Sequence, residues 1–195
     1  MLDAAVASIL EKGYYRTSSN EIARRAGVTW GTLQHQFGSR ELLLLEVVND
    51  RWAELQHEMA TAEVHGTTLE ERLHSVLDVL ARHYGDPANL ASLQILLDLS
   101  RDPEVSQATK AAVALHGERL THDWQPLFEQ ALGEAAHDEL LVRYAFVTLR
   151  GYLTGDLIAS SIAETTDDRE LRELLIDGVA CAIRMRARAQ GFVVS

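Results

Sequence analysis

The chain has 195 residues, 47% of them hydrophobic, only 3 Pro, and a net charge of −11. That content excludes a disordered chain and provides for a real core, in one large or two small domains. The single cysteine, Cys181, excludes an internal disulfide. No signal peptide is visible and no apolar run reaches membrane-spanning length, so the expected location is the reducing cytoplasm, with no membrane partner.

A first helix is expected from about Leu2 to Lys12, where Leu2, Val6, Ile9 and Leu10 recur at helical spacing and Gly13 ends the run. Of Tyr14 and Tyr15, one is expected to pack under the next element and the other to reach a phosphate. Ser18 with Glu21 reads as a capping box, so a second helix starts there with Ile22, Ala23 and Ala26 inward. Gly27 stops it in the left-handed conformation, Val28 plugs the corner, and Thr29 caps a third helix ending at Phe37. Leu33 and Phe37 lie one turn apart and face inward. Two short helices joined by a glycine turn make a helix-turn-helix. Its second helix presents Trp30, Gly31, Thr32, Gln34, His35 and Gln36 outward, a shape that fits the major groove.

The run G-Y-Y-R-T-S-S-N-E-I-A-R-R-A-G-V-T-W-G-T-L-Q-H-Q-F-G-S-R-E-L-L resembles the DNA-binding signature of the TetR (tetracycline-repressor-like) family of bacterial regulators, over roughly residues 2–48. Three positions depart from the family pattern. Gln34 stands where the family usually has Tyr, which removes a frequent phosphate contact. Gln36 stands where it often has His or Tyr, and Arg40 replaces its Lys. The basic arm that many members carry upstream is not seen here.

Thr32, Gln34 and His35 are the base-edge candidates, because Gln can pair with adenine and Thr can touch a thymine methyl. Tyr15, Thr17, Ser39 and Arg40 are phosphate candidates, the last two at a helix N-terminus that favours anions. Trp30 either packs on sugar or covers the head; Thr29 and Gly31 complete the DNA-facing set. Residues 1–51 hold six basic and six acidic side chains, so the acidic excess lies wholly in the remainder. A neutral head predicts few phosphate contacts and a shallow salt dependence.

Ser39 caps a long fourth helix whose Leu42, Leu45, Val48, Trp52, Leu55, Met59 and Ala62 keep one face to about His65. Thr68 with Glu71 is a second capping box, opening a helix with Leu69, Leu73, Val76, Leu77, Leu80 and Tyr84 inward. Asp86-Pro87 starts a sixth helix, to about Ser100, whose apolar girth (Leu93, Ile95, Leu96, Leu97, Leu99) makes it the most enclosed. Asp102-Pro103 repeats the start signal for a seventh helix reaching Ala131 or Leu132, with a kink at Pro126. Two last helices are expected at about 136–163 and 168–190. Their small residues at four-residue spacing, Gly151, Gly155 and Ala159 on one and Gly178 and Ala182 beside Leu171 and Leu175 on the other, permit close approach. That approach serves either internal packing or a dimer interface, and the two-fold symmetry of DNA half-sites favours the dimer. The resemblance also implies a dimer through the last two helices.

The resemblance implies a ligand pocket between the fourth and eighth helices. Its candidate walls are Trp52, Met59, Tyr84, Leu96, His116, Trp124, Phe128 and Tyr144, apolar and aromatic enough for an apolar or aromatic small molecule. No P-loop, dinucleotide fingerprint or nucleophile-elbow motif occurs, so neither an enzyme nor a cofactor is expected. Glu-x-x-His occurs at Glu54/His57, Glu71/His74 and Glu134/His137, but partnering carboxylates are missing and no metal is expected. The arginines at 184, 186 and 188 read as helix-dipole partners rather than DNA contacts, and His122-Asp123 as surface or pocket wall.

The expected fold is all-α with about nine helices: a three-helix helix-turn-helix DNA-binding domain at 1–45 and a larger ligand-binding and dimerisation domain at 46–195. The expected function is a dimeric, ligand-released regulator, a repressor on double-stranded DNA. Two alternatives are a small-molecule-binding helical protein whose DNA head has decayed, and a metal-dependent helical enzyme.

Overall fold

In the computed structural model of the chain, residues 1–119, 124–163 and 169–192 are described; His122-Asp123 and the helix start expected at Asp168 lie outside them. The described residues form ten α-helices, a 3-10 turn and no strand: α1 Leu2–Lys12, α2 Ser19–Arg25, α3 Trp30–Phe37, α4 Arg40–Thr61, α5 Leu69–Tyr84, α6 Pro87–Arg101, α7 Gln107–Arg119, α8 Gln125–Leu132, the 3-10 turn Gly133–His137, α9 Glu139–Ile162 and α10 Arg169–Gln190. None of the described helices is long and apolar enough to cross a membrane. The chain divides into two compact units, Met1–Leu55 with Pro87–Leu120, and Gln56–Asp86 with Thr121–Ser195.

In the first unit, α1, α2 and α3 close around Ala5, Ile9, Ile22, Ala23 and the fully buried Leu33. The same core takes in Leu43, Leu44, Val47 and Val48 of α4 and Ala91, Ile95 and Leu99 of α6. The unit that holds the helix-turn-helix therefore also holds α6 and α7, which lie beyond the boundary expected at residue 45. The expected α4 stripe holds at Val48, Trp52, Leu55 and Met59 but not at its start, where Leu42 is exposed and Leu43 and Leu44 point inward in its place. In α6, Leu97 is 50% exposed, so that helix is not enclosed on all sides.

The α2 start is half a capping box. Glu21 N–H donates to Ser18 Oγ at 3.2 Å, but the Glu21 carboxylate accepts from Arg24 and Lys12 instead of returning to the cap. Charge-assisted bonds are roughly twice as strong as neutral ones, which decides the competition. The box at α5 is complete, Thr68 and Glu71 each bonding the other's backbone N–H.

In the second unit, α5 buries the expected Leu69, Leu73, Val76, Leu77, Leu80 and Tyr84 and packs against α8, α9 and α10. The single seventh helix expected from 103 to 131 is two helices. Ser106 caps α7, its Oγ accepting from Thr109 N–H at 3.1 Å, while Asp102 instead turns the chain toward Glu104. Pro126 lies in the first turn of α8, where a missing N–H removes no helical bond. It starts a helix rather than kinking one.

Leu33→Ala is expected to cost about 2–5 kcal/mol, the range for a fully buried leucine. Urea denaturation of the full chain checks it, and a cost under about 1 kcal/mol would contradict the closed packing under α3. The Glu21 pKa is pulled down from 4.5 to about 2, first by its bond to Arg24 and then by Lys12. A lowered folded pKa means the ion pairs stabilise fully above about pH 4.5 and fade as pH falls toward about 2. The difference in melting temperature between the natural chain and Glu21→Gln is therefore expected to shrink from pH 6 to pH 2; a constant difference would refute the pairing.

Candidate nucleic-acid interface and buried aromatic cluster

The corner between α2 and α3 is a Schellman turn. Gly27 has φ +69°, in the left-handed region that suits glycine. Val28 N–H donates to Ala23 O at 3.0 Å and Gly27 N–H to Arg24 O at 3.3 Å, closing the end of α2. Thr29 Oγ1 then accepts from Thr32 N–H at 3.1 Å and opens α3. With Leu33 inward, Trp30, Gly31, Thr32, Gln34, His35 and Gln36 are all exposed on the outer side of α3. Ser39 Oγ accepts from Leu42 N–H and caps α4 beside them.

The flanking candidates are placed differently. Thr17 is buried, its hydroxyl donating to Gly13 O at 3.0 Å and lying 3.3 Å from Ser8 Oγ; its side chain faces the core, because only there does its hydroxyl find partners that pin the turn before α2. Arg40 donates to Thr17 O at 3.0 Å and to Tyr14 O at 2.8 Å, and its guanidinium lies 4.4 Å from the Tyr14 ring centroid. Those carbonyls and that ring satisfy it inside the head. Tyr14 is the tyrosine that packs under the motif. Tyr15 is 84% exposed, with its hydroxyl donating to Asp98 of α6 at 3.0 Å. That bond, then the Asp98 charge, raises its pKa.

Ion pairs use up much of the remaining cationic charge. Lys12 and Arg24 hold Glu21, Arg25 holds Glu11, and Arg51 holds Glu54. Arg16, exposed between Tyr15 and Thr17, is the basic side chain of the first 51 residues left unpaired among the described residues. Sequence spacing does not single out Arg16, since its freedom follows from partners that its neighbours take elsewhere.

The ligand-wall candidates fall in both units. In the first, the Trp52 and His116 rings meet edge to face, 5.0 Å apart, and Leu96 is half-buried. In the second, Met59 and Phe128 are buried, and Tyr84 and Trp124 join a cluster with centroids 5.8 Å apart. The third ring of that cluster is Phe146, stacked on Trp124 at 4.6 Å. Tyr144 is exposed on the opposite side of α9, because Phe146, Leu149 and Leu153 share the inward face and Tyr144 does not. Arg150 lies over the Tyr84 and Phe146 rings, at 5.9 and 5.4 Å. Phe146 and Arg150, four residues apart, were legible only once the inward face of α9 was known.

The interface candidates Gly151, Gly155, Ala159, Leu171 and Gly178 are exposed, and Leu175 and Ala182 half-buried. A Cβ built on Gly151, Gly155 or Gly178 meets nothing within 4 Å, so nothing in the described chain packs on those glycines. Exposed Val147, Ile158 and Ile162 on α9, and Leu171, Leu174 and Met185 on α10, continue the same stripes at three- and four-residue spacing. Cys181 is exposed on α10. No group of three or more His, Cys, Asp or Glu among the described residues is placed to hold a metal ion. Of the Glu-x-x-His histidines, His74 instead pairs with Glu173 at 3.0 Å and His137 with Glu134 O at 2.8 Å.

Residues 1–47 match the family profile "Bacterial regulatory proteins, tetR family". The chain is 25% identical over 120 residues to the HTH-type transcriptional regulator BetI of Agrobacterium fabrum, covering 62% of this chain and 57% of that protein. It spans about half the length of the curated relatives it matches. Among solved structures, a TetR-family regulator from Mesorhizobium loti superposes with a TM-score of 0.66 at 20% identity, over 93% of this chain and 92% of that one. FadR from Bacillus subtilis, solved in complex with stearoyl-CoA, gives 0.63 at 19% identity, over 93% and 95%. Residues 1–47 thus carry the DNA-binding helix-turn-helix described by the tetR-family profile, within a fold shared along nearly the whole chain with TetR-family structures.

Proposed function

We propose that the protein is a cytoplasmic transcriptional regulator that binds a palindromic operator as a homodimer and is released from it by a small apolar or aromatic molecule. The observation that carries this reading is the outer side of α3. Five polar or aromatic side chains and one glycine are exposed there, while the one leucine between them is fully buried. A helix so divided can enter a major groove without loss of core. Thr32, Gln34 and His35 read base edges. Ser39 at the α4 N-terminus and the unpaired Arg16 meet phosphates. The exposed apolar stripes of α9 and α10 support the dimer, which sets two copies of α3 about 34 Å apart on successive grooves. The effector binds the larger domain, and its signal reaches the head along α4, the helix that continues out of the head. A differential affinity of about 1–3 kcal/mol between the two states suffices for a 5–150-fold change in operator binding. Repression follows from an operator that overlaps a promoter.

Selection from random-sequence duplex DNA at two salt concentrations tests this. A two-fold symmetric site with a shallow salt slope is expected, because few cations are free to displace counterions; absence of any enriched sequence at low salt would sink the reading. On the recovered site, Gln34→Ala is expected to cost about 1–3 kcal/mol and to relax the preference at one base pair per half-site. Arg16→Ala is expected to weaken all sequences alike and to flatten the salt slope further; a change of sequence preference instead would move Arg16 out of phosphate contact. Leu174→Glu with Met185→Glu is expected to give a monomer in sedimentation velocity, with operator affinity lost alongside.

A further inference from the structure

We propose that Arg150, Tyr84 and Trp124 form the recognition point for the carboxylate of an apolar effector; the inference rests on the ligand-released reading above. Trp124 is 0% and Tyr84 5% exposed. The indole Nε1 and the phenol oxygen are both enclosed; the indole N–H has no hydrogen-bond partner among the described residues, and the phenol oxygen has only the neighbouring Arg150 guanidinium, so the phenol proton is left to donate. A buried donor left unpaired costs free energy, so such a pair is kept where a partner arrives from outside. Arg150 is half-buried over the Tyr84 and Phe146 rings, and no carboxylate among the described residues pairs with it. The Tyr84 pKa is raised by burial, against a smaller downward pull from Arg150, so the phenol remains a neutral O–H donor at physiological pH.

The inventory is one-sided. An indole N–H and a guanidinium only donate, and the phenol adds one more donor. What complements three such groups is an acceptor with several lone pairs, and the formal charge on Arg150 selects an anion over a neutral carbonyl. A guanidinium fork matches a planar carboxylate in two parallel bonds. The rest of the molecule is apolar. Phe146 stacks on Trp124, Leu80 lies one turn before Tyr84 on α5, and Leu149 precedes Arg150 on α9, both fully buried. Aryl- or alkyl-carboxylic acids combine these features.

Titration calorimetry of the full chain with 4-phenylbutyrate and octanoate, each against its own amide, tests the assignment. Saturable binding of the acids, at least ten-fold tighter than the amides, is expected. Arg150→Met is expected to remove that preference, Arg150→Lys to restore part of it, and Tyr84→Phe to weaken the acids several-fold, with unchanged circular dichroism throughout. Acids that do not bind, amides that bind equally, or an acid preference that survives Arg150→Met would each overturn the proposal. The wild-type acid-against-amide comparison needs no variant to fold. Release of the selected duplex is read in parallel. Acids that bind through Arg150 but leave the duplex bound uphold the site and remove the regulatory reading. A duplex released by neutral compounds, with no acid binding, removes the site and keeps that reading.

Discussion

The turn at Gly27 governs what the N-terminal unit can do. Its positive φ lets Gly27 and Val28 satisfy the last carbonyls of α2 while the chain reverses into α3. The Thr29 cap follows at once, so the start of α3 is fixed to within a residue. With that start fixed, helical period alone sends Leu33 into the core and leaves Thr32, Gln34 and His35 outside. A shift of one residue in the cap would turn a different set of side chains outward and leave the pocket under α3 unfilled. The core thus specifies which side chains α3 turns outward.

Electrostatics in the same unit works by subtraction. Six basic and six acidic residues make the head neutral on paper. The pairs at Glu11, Glu21 and Glu54, and the carbonyls that hold Arg40, then remove most of the cations from outside use. Exposed pairs of this kind add little stability, but they decide which charges stay available. A head so arranged leaves few cations for a phosphate backbone, which is the condition under which the proposed reading relies on base-edge contacts.

The second unit shows the opposite economy. Its helices bury Trp124 without giving its indole N–H a partner, while Arg150 stands over the neighbouring Tyr84 and Phe146 rings. Elsewhere in that unit comparable groups are matched: Arg184 with Glu70, Arg186 with Asp138, Arg172 with Asp78. The aromatic cluster is thus one place where the interior is incomplete by itself. The apolar stripes of α9 and α10 are incomplete in another sense, since they expose large side chains around glycines that nothing in the described chain packs on.

Local rules settled much of the fold in advance. Caps, glycines and the 3.6-residue period are short-range signals, and they located α1 to α6, the helix-turn-helix corner and the inward face of α5 from the residues alone. The run from Gly13 to Leu43 carries the resemblance to the tetR-family DNA-binding domain, because the corner, caps and buried leucine occur there in one register. Tertiary structure decided what those rules leave free. Pro126 satisfies both a kink and a first turn, and only the start of α8 at Gln125 shows which. Glu21 can serve a cap or an ion pair, and the nearness of Lys12 and Arg24 chose the pair. Whether Arg40 points to solvent, whether Thr17 is buried, and whether Tyr144 or Phe146 joins the aromatic cluster all depend on which helix lies opposite. Such choices are made by residues far apart in the chain, so sequence spacing carries no record of them.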